Sequence, residues 1–215
     1  MLLYVDPHAL AVPLSSLRTT GRDPSGLVSV TDAGPQRIAA AIYNSDETEL
    51  LCYISYPLPY ETPPELVPNL QNAREYLGFV LQLCLLWHVR TVLQRPVNSV
   101  HWIGDNTSAL SWVHGNKCKS PAAQFALLFV TWFQIKNKLR STVEHREGIK
   151  MGDIDKLSRA FRHSLPPALE VLPASLPNLD ELFQSCNVLE QQHSLADHRT
   201  VMRRVVAAVE RFSMP

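Results

Sequence analysis

The sequence predicts an α/β fold in which a mixed five-stranded sheet carries helices on both faces. Three β-rich segments lie close together early in the chain, separated only by short turn sequences. After a long apolar helix, two further strand-like segments alternate with helical ones. Closely spaced strands pair antiparallel, whereas strands joined through helices pair in parallel. The first three strands should therefore form an antiparallel meander, which the later strands extend in parallel.

The first three strand candidates cover 27–31, 37–43 and 49–56 and read LVSVT, RIAAAIY and ELLCYISY. Their separators, DAGPQ and NSDET, are composed of residues typical of turns. The remaining strands are expected at Ser99–Ile103 and Ser141–His145. The predicted order along the chain is βββ, α, β, α, α, β, α.

Helix predictions rest on spacing and on capping residues. The first long helix has apolar residues at 77, 80, 81, 84 and 85, which share one face, and Asn69 or Asn72 is the predicted cap. Thr107 or Ser108 is the predicted cap of the next helix. Pro121 should open the third helix, since proline suits the first helical turn. A short helix should follow the last strand.

Composition changes define four regions. Residues 1–26 form an irregular lead-in and 27–163 the α/β domain. Residues 164–177 contain four prolines and are interpreted as a linker. Residues 178–215 are predicted to form a small C-terminal helical extension.

The chain has no net charge and a pI near 7.1, unlike most free-standing nucleic-acid binders. Any contact with nucleic acid should therefore depend on a local patch or on a neighbouring domain. Its four cysteines are widely spaced and form no CxxC pair, which favours reduced thiols and an intracellular location, in cytoplasm or nucleus. The first residues make a poor signal peptide, and no apolar run is long enough for a membrane span, so no membrane partner is expected.

Four acidic residues stand at similar topological positions. Asp32 and Asp105 end strands, whereas Glu75 and Asp155 lie near helix starts. Such positions meet along one edge of a mixed sheet. Close carboxylates repel one another, and divalent cations with a preference for oxygen ligands, Mg²⁺ or Mn²⁺, remove that conflict. Two such ions suit phosphodiester hydrolysis. A single acid at such a position is more often a turn or cap residue, so the prediction depends on all four.

Four stretches carry a resemblance to a known family: VSVTDAGPQRIAAAIY, NAREYLGFVLQL, VHWIGDNTSALSWV and GIKMGDIDKLSR. Over about residues 27–160 the chain resembles the ribonuclease H domain of retroelement reverse transcriptases. The last two stretches are the most specific. Within the third stretch, the segment DNTSALSWV is most similar to elements with a tyrosine recombinase, with gypsy-type elements as the alternative.

The resemblance implies a ribonuclease H-like fold and a nuclease that cuts the RNA strand of RNA–DNA hybrids with two Mg²⁺ or Mn²⁺ ions. Asp32, Glu75, Asp105 and Asp155 would be the catalytic metal ligands. A reverse transcriptase domain in a parent polyprotein would be a partner, whereas the oligomeric state stays open.

Some positions depart from the family pattern or compete with it. Met151 stands where the family often has Asn, and alanines at 39–41 replace a glycine-rich strand. Asp153 is a rival for the last ligand, and Asp6 for the first. The Leu-Ser-Arg register favours Asp155, and the turn and small-residue strand after Asp32 favour that residue.

Auxiliary and substrate-binding residues are also predicted. His145 is either a mobile catalytic histidine or, more in keeping with its strand, structural. Asn106 is interpreted as an RNA contact or as a helix cap. Residues 101–160 hold nine basic against five acidic residues. Within them, the predicted phosphate contacts in loops beside the site are Lys117, Lys119, Arg146 and Lys150.

Two alternatives to the hybrid ribonuclease stay open. One is a nuclease of the same fold that cuts DNA. The other is a domesticated, catalytically inactive interaction module whose partner surface is the region 178–215. Cleavage of hybrid against DNA duplex distinguishes the first alternative, and Mn²⁺ binding distinguishes the second.

Overall fold

The computed structural model describes residues 21–58, 67–115 and 121–176, together with single positions at 179, 203, 206, 207, 210 and 211. Within these residues the strands are β1 (Leu27–Ala33), β2 (Arg37–Tyr43), β3 (Leu50–Pro57), β4 (Ser99–Gly104) and β5 (Arg140–His145). The helices are α1 (Val67–Thr91), α2 (Thr107–Gly115), α3 (Pro121–Asn137) and α4 (Asp153–Ser158). The element order is the predicted one.

The five strands form one mixed sheet in the order β3-β2-β1-β4-β5. β1 pairs antiparallel with β2, which pairs antiparallel with β3, whereas β4 lies parallel to β1 and β5 parallel to β4. This is the mixed five-stranded sheet, antiparallel and then parallel, that the sequence predicts, so the predicted fold class is confirmed. The parallel pair β1–β4 is central because α1 connects the antiparallel meander back to the middle of the sheet.

Apolar residues cover both faces of the sheet. On one face, α1, α2 and α3 pack over a large cluster that includes Phe79 of α1 and Trp102 of β4, whose rings meet edge to face 5.8 Å apart. On the other face, Ile154 and Leu157 of the short α4 pack against Val30 and Ala39. Burial on both faces fixes the register of the central strands, and with it the positions of their end residues.

Two predicted caps are wrong. α1 begins at Val67, so Asn69 and Asn72 lie inside the helix; the proline that follows Val67 fits the first turn, where a missing N–H costs nothing. α2 begins at Thr107, and its cap is Asn106, whose Oδ1 accepts a hydrogen bond from the Ala109 N–H at 2.9 Å.

The proline-rich segment predicted as a linker contacts the sheet. It forms short 3₁₀ turns at Pro167–Leu169 and Pro173–Ser175. Between them the Val171 N–H donates to the Tyr53 carbonyl of β3 at 2.8 Å, and the Val171 side chain is buried. The lead-in up to residue 20 and nearly all of 178–215 lie outside the described residues, so the four-region division stays a prediction.

Candidate metal centre

Strand pairing and one close helix contact bring three acids to the same edge of the sheet. Asp32 lies near the end of β1, and Asp105 directly follows β4, the parallel neighbour of β1. Glu75 is on α1, one turn before Gly78. A side chain on Gly78 would overlap Thr31 of β1, so this glycine lets α1 lie close to the strand. Glu75 is thereby held beside the strand ends.

Asp32, Glu75 and Asp105 form the acidic cluster of this protein. Each contributes a carboxylate oxygen, and these three oxygens all lie within 4.8 Å of one another. Asp32 and Glu75 are buried, whereas Asp105 is partly exposed. The cluster thus opens to solvent on the Asp105 side.

The electrostatics of the cluster are unfavourable without a cation. Burial, reinforced by the charges of Asp105 and Asp32, raises the pKa of Glu75 to about 9. Burial also raises the pKa of Asp32 to about 6, against an opposing hydrogen bond from Ser158. The pKa of Asp105 is raised as well, again chiefly by burial. Buried carboxylates that repel one another are suited to a divalent cation, and their oxygen atoms are the donors that Mg²⁺ and Mn²⁺ prefer.

Two neighbouring side chains orient the buried carboxylates. The Ser158 hydroxyl, at the end of α4, lies against both Asp32 Oδ2 and the Asp155 carbonyl. The Gln71 amide donates to Glu75 Oε1 at 2.6 Å and to the Ala33 carbonyl at 2.7 Å. Sequence reasoning missed both roles. The four-residue spacing from Gln71 to Glu75 on one helix was a usable signal, since such residues are neighbours on its surface.

Asp155 lies beside the acidic cluster but outside the three-oxygen group. Its Oδ1 accepts a hydrogen bond from Arg159 Nε at 2.9 Å. A methyl group placed on Gly148 would lie 3.2 Å from Asp105 Oδ2 and 3.6 Å from Asp155 Oδ1, so these two carboxylates face the same small space. The rival Asp153 instead contacts Lys156 and Ser164. The other rival, Asp6, lies outside the described residues.

The predicted auxiliary residues are close to the cluster. His145 is exposed, and its Nε2 lies 3.0 Å from the backbone carbonyl of Asp105. Besides capping α2, Asn106 donates from its amide to Asn72 Oδ1 at 2.8 Å. This bond links the start of α2 to α1 at the residue next to Asp105.

The side chains predicted to contact phosphate differ in whether they are free to bind one. Lys150 is exposed and forms a surface pair with Glu147 at 2.9 Å. Arg146 is largely buried between Glu47, at 2.6 Å, and Glu144, at 2.9 Å. Two carboxylates already engage its guanidinium, so a phosphate would have to displace them. Lys117 and Lys119 lie outside the described residues.

Comparisons with known proteins give structural neighbours only. No family model and no curated protein matches the chain. A ribonuclease H1 isolated from compost by a metagenomic approach is similar to it at 17% identity and a TM-score of 0.47, over 62% of this chain and 92% of that one. The N-terminal ribonuclease H domain of a Mycobacterium tuberculosis protein is similar at 13% identity and a TM-score of 0.37, over 57% of this chain and 86% of that one.

A foamy viral protease–reverse transcriptase solved with double-stranded DNA gives 12% identity and a TM-score of 0.32, over 62% of this chain and 25% of that one. In the chain itself, no described helix is both long and apolar enough to cross a bilayer.

Proposed function

We propose that this protein is a metal-dependent endonuclease of the ribonuclease H type that hydrolyses the RNA strand of RNA–DNA hybrids. The acidic cluster at the carboxyl edge of the central parallel strands carries the proposal. Its three carboxylates are placed close together by β1, β4 and α1, and two of them are buried where a charge is costly. Such a site gains most from a divalent cation.

Mg²⁺ or Mn²⁺ ions bound here would activate a water and stabilise the leaving oxygen of a phosphodiester. The chain's own residues position the ligands: Ser158 orients Asp32, and Gln71 orients Glu75. Asp105, the most accessible of the three, faces the side from which a substrate would approach. Asp155 is the proposed fourth ligand, and His145 a group able to exchange a proton near Asp105.

The retroelement motifs favour an origin in a reverse transcriptase polyprotein, and we propose a polymerase domain as the partner that supplies affinity for the hybrid. The neutral net charge agrees with weak binding by this chain alone. Cys52 and Cys84 are buried free thiols, which agrees with an intracellular location.

The test is a cleavage assay of the full chain on a labelled RNA–DNA hybrid, with DNA duplex and RNA duplex in parallel and with Mg²⁺ or Mn²⁺. We expect cleavage of the RNA strand of the hybrid, and a loss of at least about a hundredfold in Asp105→Asn, because a metal ligand is removed. Asp153→Asn is the matched control, since Asp153 lies outside the acidic cluster and contacts Lys156.

Each other outcome has a defined meaning. Cleavage of the DNA duplex instead of the hybrid would identify a DNA nuclease of the same fold. Absence of both cleavage and Mn²⁺ binding would overturn the proposal in favour of an inactive interaction module.

A further inference from the structure

Arg159 occupies a distinctive position next to the acidic cluster. It directly follows α4, and its Nε donates to Asp155 Oδ1, the carboxylate that faces the same space as Asp105. Its side chain is 48% exposed, against 25% for Asp155. The guanidinium therefore holds the candidate fourth ligand from the solvent side.

The charge of Arg159 reaches beyond its direct partner. Its positive charge also acts on the carboxylates of Asp32 and Asp105. Two other cations of this region are paired with acids outside the cluster: Lys156 with Asp153, and Lys150 with Glu147. Arg159 instead pairs with an acid of the proposed site.

Two kinds of cation compete for the same carboxylate oxygens. A divalent ion bound between Asp105 and Asp155 would lie close to the guanidinium, and like charges at such a distance repel. A guanidinium is also well matched to phosphate oxygens, to which it can donate two parallel hydrogen bonds. A phosphate of an approaching nucleic acid can therefore draw Arg159 away from Asp155.

We infer that Arg159 is a built-in counter-ion of this site. It pairs with Asp155 until a backbone phosphate of the nucleic acid replaces Asp155 as the partner of the guanidinium, and Asp155 is then available to a divalent cation. Arg159 is in this sense a positioning residue that couples substrate binding to metal binding. The inference rests on the proposed function, because it needs both a metal at the acidic cluster and a nucleic-acid substrate.

The experiment measures Mn²⁺ affinity by titration calorimetry and electron paramagnetic resonance, with the full chain and no nucleic acid. We expect Arg159→Gln to bind Mn²⁺ about three- to tenfold more tightly than wild type, because a positive charge near a divalent ion is removed. Lys156→Gln is the matched control. Lys156 is 49% exposed and belongs to α4, which Arg159 directly follows, but its partner Asp153 lies outside the site. It should leave Mn²⁺ affinity within about twofold.

In a second measurement the Arg159→Gln variant should bind its ligand more weakly rather than more tightly. In chelator, binding of a fluorescent RNA–DNA hybrid should weaken about three- to tenfold in Arg159→Gln, because a phosphate contact is lost. Arg159→Lys keeps the charge and should restore Mn²⁺ affinity to near the wild-type value. Tighter metal binding together with weaker hybrid binding is a pattern that a purely structural role would not produce.

The two proposals fail in different ways. A wild-type chain that binds no Mn²⁺ would overturn the proposed function and this inference with it. A wild-type chain that binds Mn²⁺, with the same affinity in Arg159→Gln and Lys156→Gln, would overturn only the role of Arg159. Unchanged hybrid binding in Arg159→Gln would likewise remove the phosphate contact from the inference.

Discussion

Two groups of carboxylates lie at adjacent strand ends and differ in how their charge is balanced. In the acidic cluster, Asp32 lies near the end of β1, Asp105 follows β4, and Glu75 stands beside them on α1. The second group, the Arg146 network, consists of Glu47 and Glu144 around Arg146, which follows β5 and whose N–H donates to the Gly104 carbonyl at 2.9 Å. Asp105 and Arg146 are therefore neighbours across parallel strands. One group holds acids together without a guanidinium between them, and the other is built around one.

The carboxyl pKa values of the two groups are shifted in opposite directions. The pKa of Glu75 is raised to about 9 by burial and by like charges, whereas hydrogen bonds from Arg146 hold the pKa of Glu47 below its usual value. In Glu144 the hydrogen bonds from His101 and Arg146 outweigh a raising effect of burial, and its pKa is lowered too. The Arg146 network is electrostatically complete within the chain. The three carboxylates of the acidic cluster instead raise one another's pKa or are raised by burial, and the proposed divalent cation would balance them.

The largest expected effect is on stability, and it distinguishes the two groups by how much Mn²⁺ stabilises each variant. In chelator at pH 8, Glu75→Gln should raise the free energy of unfolding by about 1–3 kcal/mol, because the amide is neutral at every pH and folding no longer has to protonate a carboxyl whose pKa is raised to about 9. The same variant should lose most of the stabilisation that Mn²⁺ gives the wild type. Thermal unfolding with and without Mn²⁺ measures both quantities.

Glu47→Gln is the control for that measurement. It should lower the free energy of unfolding by about 0.5–1.5 kcal/mol, since its ion pairs are partly exposed, and leave the Mn²⁺ response unchanged. Equal Mn²⁺ responses in the two variants would show that metal stabilises the protein elsewhere than at the acidic cluster.

The second prediction concerns pH and has opposite signs in the two groups. The pKa of Glu75 in the folded chain, about 9, is above its ordinary value of 4.5, so its contribution to stability is fully present below pH 4.5 and is lost as pH rises towards 9. The advantage of Glu75→Gln in chelator should therefore grow across that range. The pKa of Glu47 is lowered from 4.5, so its contribution is present above that pH and is lost as pH falls further.

Denaturant unfolding of both variants at a series of pH values provides the measurement. The cost of Glu47→Gln should be present at pH 7 and shrink progressively as the pH falls below 4.5. An advantage of Glu75→Gln that stays constant from pH 5 to pH 9 would contradict the burial effect assigned to that carboxyl.

The smallest effect tests the link between α4 and the acidic cluster. Ser158→Ala should destabilise the protein by about 1 kcal/mol, because the buried hydroxyl that donates to Asp32 is removed. It should also weaken Mn²⁺ binding a few-fold, since Asp32 loses its orientation, as calorimetry would show. Ser164→Ala removes a comparable hydroxyl from Asp153 and should leave Mn²⁺ affinity unchanged. Equal losses of Mn²⁺ affinity in the two alanine variants would contradict the role of Ser158.

Local patterns were sufficient to predict the sheet. The alternation in 27–31, the small apolar run Arg37–Tyr43 and the turn residues between them are signals carried by adjacent residues, and they indicate strands and hairpins directly. Helix starts were less predictable. The choice between Asn69, Asn72 and Val67 depends on how far α1 packs, and that contact is tertiary.

The sequence by itself determined the order of the elements and the candidate acids, because strand periodicity and the motifs around Asp32, Glu75, Asp105 and Asp155 are local. Only the tertiary structure decided which charges meet. Arg146 was predicted to face phosphate, yet it pairs with Glu47, 99 residues earlier in the chain. Ser158 reaches Asp32 across 126 residues. Contacts between residues so far apart in sequence depend on the packing of the whole sheet, so no local sequence pattern predicts them.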